Sequence, residues 1–232
     1  LVDAKEAAAR KAVEYVRSGM TLGLGSGSTA THAIRAIGER VRQEGLQVRG
    51  VPTSGRSREL AETLGIPLVD LWDVHEIDLT IDGADEVDPA LHLIKGGGGA
   101  LVREKLVACA SQERIIICDE SKLKPALGAF PLPIAILPFG WKTTRQRLEH
   151  FGGTITLREQ PDTGEPFVTD DGLYIVDMHL GRIANVPALE RNLKEIVGVV
   201  EVGLFVDLVS RLIIGYANGH VEERVPIEKG RN

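Results

Sequence analysis

Cysteine, aromatic residues and long apolar runs are scarce in this 232-residue chain, and each scarcity closes off a class of protein. Two cysteines, Cys109 and Cys118, cannot build a disulfide framework, and they do not form a Cys-x-x-Cys metal or redox pair. Two buried thiols in a reducing cytoplasm are expected. No stretch reaches the ~18 apolar residues of a spanning helix. The N-terminal residues lack the apolar core of a signal peptide, so a cytoplasmic protein is expected. An excess of basic charge is also missing. Lys plus Arg number 27 against 33 Asp plus Glu, a net charge of −6. That makes the chain a poor candidate for wrapping nucleic acid, which needs a basic face, though not for holding a small anion in a local pocket. The six histidines (His32, His75, His92, His150, His179, His220) show no paired metal spacing and read as ordinary core or surface residues. There is no internal repeat, low-complexity tract or long charge run.

What is present is an average globular composition, 43% hydrophobic and 26% charged, with glycine in excess at 26 residues. The length fits one or two domains. Apolar spacing predicts helices over 4–17, 29–43, 57–64 and 100–110. Strands are predicted over 20–24, 47–51, 66–71, 77–81 and 114–118. Such alternation argues for an α/β fold, a Rossmann-like, mostly parallel sheet with helices on both faces. The texture changes near Pro131, Pro133 and Pro138, which punctuate a short apolar strand. Beyond them come helices at 142–151 and 187–197 and strands at 154–158, 167–169 with 174–180, and 199–205. That β-α-β-β-α-β order is the ferredoxin-like split motif. A smaller α+β domain over 131–205 is therefore expected, with 1–130 and 206–232 forming the larger one. Residues 208–216 and 221–225 would return to the larger sheet as strands.

Three loops carry the chemistry. Gly23-Leu24-Gly25-Ser26-Gly27-Ser28-Thr29 joins a strand to a helix, where free amides can hold an anion and the hydroxyls add donors. It is neither a dinucleotide fingerprint, since serine occupies 28, nor a Walker A loop, since no lysine precedes the hydroxyl residues. The bland reading is a glycine turn with a helix cap. Asp82-Gly83-Ala84-Asp85-Glu86-Val87-Asp88 places four carboxylates directly after a strand, the end at which open α/β sheets bind ligands. Its spacing is not that of an EF-hand, and a solvated acidic turn is the alternative. Lys95-Gly96-Gly97-Gly98-Gly99 precedes a helix and can form a second anion or oxyanion cradle. Glu104, in the first turns of that helix, would lie near the ligand and the positive end of the helix dipole. A surface charge cluster with Arg103 and Lys105 is the alternative. Lys122 follows a strand, a position where a lone lysine is usually solvated.

Taken together, Gly25 to Ala30, Asp82 to Glu86 and Lys95 to Lys105 resemble type A ribose-5-phosphate isomerase. So do Phe130 to Pro133, Thr169 to Gly172 and Gly198 to Phe205. The likeness runs in order over nearly the whole chain. It implies an aldose-ketose isomerase of the pentose phosphate pathway, interconverting ribose 5-phosphate and ribulose 5-phosphate through an enediolate, without metal or cofactor. Carried across, Glu104 is the base, Asp82 and Asp85 handle hydroxyl protons and ring opening, and Lys95 stabilises the oxyanion. Ser26, Gly27, Ser28, Thr29, Asp82, Gly83, Ala84, Asp85, Lys95, Gly96, Gly97, Gly98 and Lys122 line the substrate site. Lys5 is a candidate match for a lysine near the phosphate. The resemblance also implies a homodimer or homotetramer, with no nucleic-acid or membrane partner.

Two other classes compete. A non-catalytic sugar-phosphate sensor would share the sheet architecture but normally carries a DNA-reading helix, and no basic recognition helix is visible here. An amino-sugar phosphate deaminase or acyl-CoA transferase of related fold would not need the Lys95–Lys105 motif.

Overall fold

The computed structural model describes residues 3–226. In chain order its elements begin α1 (Ala4–Val13), β1 (Thr21–Leu24), α2 (Gly27–Glu44), β2 (Arg49–Pro52), α3 (Gly55–Thr63) and β3 (Ile77–Gly83). Next come β4 (Glu86–Val87), β5 (Leu93–Ile94), α4 (Leu101–Cys109), β6 (Ser111–Asp119) and β7 (Leu132–Ile136). Then follow α5 (Trp141–Leu148), β8 (Thr154–Leu157), β9 (Tyr174–His179), α6 (Val186–Lys194), β10 (Val199–Val202), β11 (Leu204–Phe205), β12 (Arg211–Gly215) and β13 (Val221–Arg224).

The chain divides into two compact units. One runs up to Ala84, then Leu106–Lys122, then from Asp207 onward; the other takes Asp85–Lys105 and Leu123–Val206. Residues 85–105 and 123–130, expected in the larger domain, group with the second unit. Packing is the reason. Strand β5 pairs with β4 on one side and with β11 on the other. Ile94 and Leu127 are buried in one core with Leu132 and Ile134. The buried Glu86 carboxylate accepts the amides of Gly128 (2.8 Å) and Phe130 (2.7 Å).

In the first unit a six-stranded sheet runs β13-β12-β6-β3-β1-β2, parallel throughout except at the edge strand β13. Its strands read as continuous apolar runs because they are covered on both faces. Leu22, Leu79, Ile115, Ile117 and Ile213 are buried with Ala8, Ala12 and Ile34 of α1 and α2. Val51 and Ile77 form a separate cluster with Val107 of α4. The strand expected over 66–71 is reduced to one bridge, between Leu68 and Gly50, followed by a 3-10 turn at Leu71–Asp73. Pro67 has no amide to extend a ladder.

In the second unit β10-β7-β9-β8 form an antiparallel sheet. With α5 after β7 and α6 after β9, this is the ferredoxin-like order. The strand expected over 199–205 is broken in two at Gly203. The Gly203 amide donates to Pro133 O (2.7 Å) while its carbonyl accepts from the Lys95 amide (2.9 Å), so β11 leaves for the small sheet with β5. Residues 167–169 make only an isolated bridge, Val168 to Tyr174.

The cysteines differ from each other, against the expectation that both are buried. On α4, Val107 and Ala108 face inward while Leu106 and Cys109, three residues apart, share the exposed side. Cys118 lies inside β6, where burial, reinforced by the neighbouring Asp119 charge, pushes its thiol up to about 12. Ellman's reagent on the native protein at mildly alkaline pH is therefore expected to modify Cys109 alone, and Cys118 only after denaturation. Labelling of both at equal rates in the native state would contradict this.

Candidate active site

Strand β1 pairs with β2 along one edge and β3 along the other. The carboxyl ends of β1 and β3 are thus the switch point at which open α/β sheets take ligands. The first and second sequence motifs both leave from there. Gly25 N donates to Ile81 O (3.0 Å). At the end of β3, the buried Asp82 accepts the amides of Ser26 (3.0 Å) and Gly83 (2.7 Å) on one oxygen, Oδ1. A Cβ on residue 25 would run into this carboxylate, so only glycine lets the β1 loop pass so close to Asp82. Gly83 and Ala84 complete the turn out of β3.

Ser26 caps α2 without a side-chain capping bond. Its hydroxyl turns instead to Thr53 and Ser54 (2.8 Å each) and to Ser57 (3.3 Å). The exposed first-turn amides of Gly27 and Ser28 therefore open the helix toward solvent at its positive end. Lys5 Nζ donates to Ser28 Oγ (3.1 Å), and Thr29 is buried beneath. Asp119, at the end of β6, senses the same cations. Burial favours its neutral form, but two hydrogen bonds from Ser121 and the charges of Lys5 and Lys122 outweigh it, holding this carboxyl below the ordinary range. Lys5, Ser28, Lys122 and the α2 N-terminus are thus a group of donors suited to an anion. Thr53, Ser54, Ser57 and Asp119 were not read from the sequence. Their signal was present, since Thr53, Ser54 and Ser57 follow β2 and Asp119 ends β6.

The second unit holds Asp85, the glycine loop, Lys95 and Glu104. Lys95 Nζ and Glu104 Oε1 stand 3.4 Å apart, with side chains 4% and 6% exposed. The Lys95 ammonium also lies 5.5 Å over the Phe205 ring. Successive residues on a helix point about 100° apart, and residues 103–105 use that. Arg103 pairs with Asp171 (2.7 Å) at the surface. Lys105 turns to Glu190 (2.9 Å), Glu201 (2.8 Å) and the carbonyls of Val202 and Leu204 (2.7 Å each). Burial alone would raise the Glu201 carboxyl, yet Lys105 holds it below the usual range. Glu104 is left facing Lys95, and the surface-cluster alternative fails. Asp85 Oδ2 accepts the Gly97 amide (2.8 Å), and a Cβ at 97 would lie 2.8 Å from the other carboxylate oxygen. Gly97 and Gly98 are exposed, Lys95 and Gly96 buried. Among the described residues no three His, Cys, Asp or Glu side chains are placed to share a metal ion, and no helix is long and apolar enough to cross a membrane.

The sequence profile of the ribose 5-phosphate isomerase A (phosphoriboisomerase A) family matches residues 49–219. Ribose-5-phosphate isomerase A from Cereibacter sphaeroides is 50% identical over 228 residues, covering 95% of this chain and 90% of that protein. Among solved structures, ribose 5-phosphate isomerase A from Methanocaldococcus jannaschii superposes with a TM-score of 0.92 at 39% identity, covering 96% of this chain and 98% of that one. A D-ribose-5-phosphate isomerase in complex with phospho-erythronic acid gives 0.92 at 37% identity, covering 95% and 97%.

Replacing Gly25 with alanine is expected to force the β1 loop and Asp82 apart, destabilising the fold by about 1–3 kcal/mol, the range for overpacking. Urea unfolding measures this, and an unchanged midpoint would contradict the close approach.

Proposed function

The chain belongs to the ribose 5-phosphate isomerase A family, and we propose that it interconverts D-ribose 5-phosphate and D-ribulose 5-phosphate through an enediolate. One observation carries the assignment of roles: a carboxylate and an ammonium, Glu104 and Lys95, lie buried within 3.4 Å of each other. Proton transfer between neighbouring carbons of a sugar needs a base for the carbon-bound proton. It also needs a cationic or N–H partner for the oxygen on which negative charge develops. Glu104 is the base that carries the proton between C2 and C1. Lys95 faces the oxygen, and the glycine loop supplies a further donor in the exposed Gly98 amide. A preorganised donor of this kind lowers the barrier by typically ~3–4 kcal/mol.

Asp82 and Asp85 exchange the hydroxyl protons and open the furanose ring. Both are held by backbone amides, Asp82 by two and Asp85 by one, so their carboxylates are positioned before substrate arrives. The phosphate is taken by Ser28, Thr29, Lys122 and the α2 amides, with Lys5 as a further donor supported by its bond to Ser28. Ser26, Gly27, Gly83 and Ala84 line the remainder. Remote phosphate binding supplies orientation rather than chemistry. Family membership favours this enzyme over the sensor, deaminase and transferase readings.

The protein works as a homodimer or homotetramer. Leu137, Phe139, Val197 and Val200, exposed apolar side chains of the second unit, support such an assembly. Its place is the cytoplasm, where the free thiols Cys109 and Cys118 would stay reduced, and its route is the non-oxidative pentose phosphate branch.

Glu104→Gln is expected to leave ribose 5-phosphate binding within a few-fold and to lower turnover by at least ~10²–10⁴, the contribution of a positioned base. Titration calorimetry and an assay of ketose formation read the two separately. Wild-type turnover in that variant would remove Glu104 from the mechanism.

A further inference from the structure

Arg158 lies just beyond β8, and no sequence motif singled it out. Its side chain is 15% exposed, and the guanidinium reaches the glycine loop. Nη1 donates to the carbonyls of Gly96 (2.9 Å) and Gly97 (3.1 Å). The other side of the fork is taken by Asp177 of β9, which accepts from Nε (2.8 Å) and from Nη2. Asp177 sits opposite Thr156 in the β8–β9 ladder. The Arg158 backbone is also tied, by its amide to Ile175 O and by its carbonyl to the Phe167 amide, 2.8 Å each. A rigid sheet therefore grips the loop by two successive carbonyls.

In a trans peptide the C=O and the N–H point in opposite directions, and no peptide bond among the described residues is cis. Drawing the Gly96 and Gly97 carbonyls to Arg158 turns the next amides, of Gly97 and Gly98, away from it. The Gly97 amide meets Asp85 Oδ2 at 2.8 Å. The Gly98 amide is exposed, and no hydrogen bond among the described residues uses it. Successive amides on one side of a loop form an anion-binding edge. Here Asp85 occupies the first and the second stays open.

We propose that Arg158, oriented by Asp177, is a positioning residue that aims the Gly98 amide at the enediolate oxygen. This rests on the isomerase reading of the Lys95–Glu104 site. Arginine is needed because one planar fork must serve two carbonyls and a carboxylate together, which a lysine ammonium cannot match in geometry.

The test compares wild type, Arg158→Ala, Arg158→Lys and Asp177→Asn. For each, kcat and KM for ribose 5-phosphate are measured beside inhibition by phospho-erythronic acid, whose carboxylate carries a charge resembling that of the enediolate. For Arg158→Ala, kcat is expected to fall roughly 10- to 100-fold, somewhat less than the ~10²–10³ lost with an oxyanion donor itself. KM should stay within about threefold, and phospho-erythronic acid should weaken by about the same factor as kcat, as expected of an interaction realised in the transition state. Arg158→Lys and Asp177→Asn should lie between, and added methylguanidine should return part of the kcat lost in Arg158→Ala. A purely structural role would lower the active fraction without changing the inhibition constant. Unchanged kcat, a rise in KM alone, or unaltered inhibition beside a reduced kcat would each overturn the proposal. Should Arg158→Ala fail to fold in a thermal melt, the paired measurements on Arg158→Lys decide by the same criteria. A wild-type protein that makes no ketose would instead bring down the isomerase reading on which this one stands.

Discussion

Two opposite charges removed from water, Lys95 and Glu104, set the terms for the second unit. Taking a charge out of water costs several kcal/mol unless other groups answer it. The surroundings of this pair are arranged to that end. Gly203 takes the Lys95 amide and Phe205 offers its ring face to the ammonium. The next lysine along, Lys105, is met by two carboxylates and two carbonyls. Residues 103–105 thus send three charged side chains in three directions, and only the middle one meets Lys95. The break between β10 and β11 belongs to the same construction, because Gly203 must leave one sheet to hold the backbone of Lys95.

The first unit solves a different problem, gathering donors where a parallel sheet changes direction. Strands β1 and β3 end side by side, so the loops that follow them meet without any long excursion. Asp82 ties them together through the amides of Ser26 and Gly83. The hydroxyls of Thr53, Ser54 and Ser57 occupy the Ser26 side chain, which leaves the first amides of α2 to face outward. Glycine has distinct uses in the two units: at 25 it lets the backbone pass a carboxylate, and at 97 it lets an amide reach one.

Much of this was legible in the chain itself. The three glycine- and acid-rich motifs, the alternation of helices and strands, and the split β-α-β-β-α-β order all follow from local spacing, because period and turn chemistry are written in neighbouring residues. The two-residue elements β4 and β5 were not legible, nor was the break that separates β11 from β10, since their pairing depends on partners far along the chain. Nor was the grouping of 85–105 with the smaller unit, which the shared burial of Ile94, Leu127 and Leu132 decides. Arg158 looked like one more charged residue near a strand end, and Cys109 looked as buried as Cys118.

The amino-acid order alone therefore determined which reactive residue types each loop offers and what kind of chemistry they can do. A carboxylate, an ammonium and a glycine loop have their capacities wherever they are placed. Only the tertiary structure decided which of two lysines, the distant Lys95 or the adjoining Lys105, meets Glu104, and which peptide faces Arg158. Those outcomes depend on directions in space set by helix rotation, strand register and the opposed bonds of each peptide, and a linear pattern does not encode direction until the chain has packed.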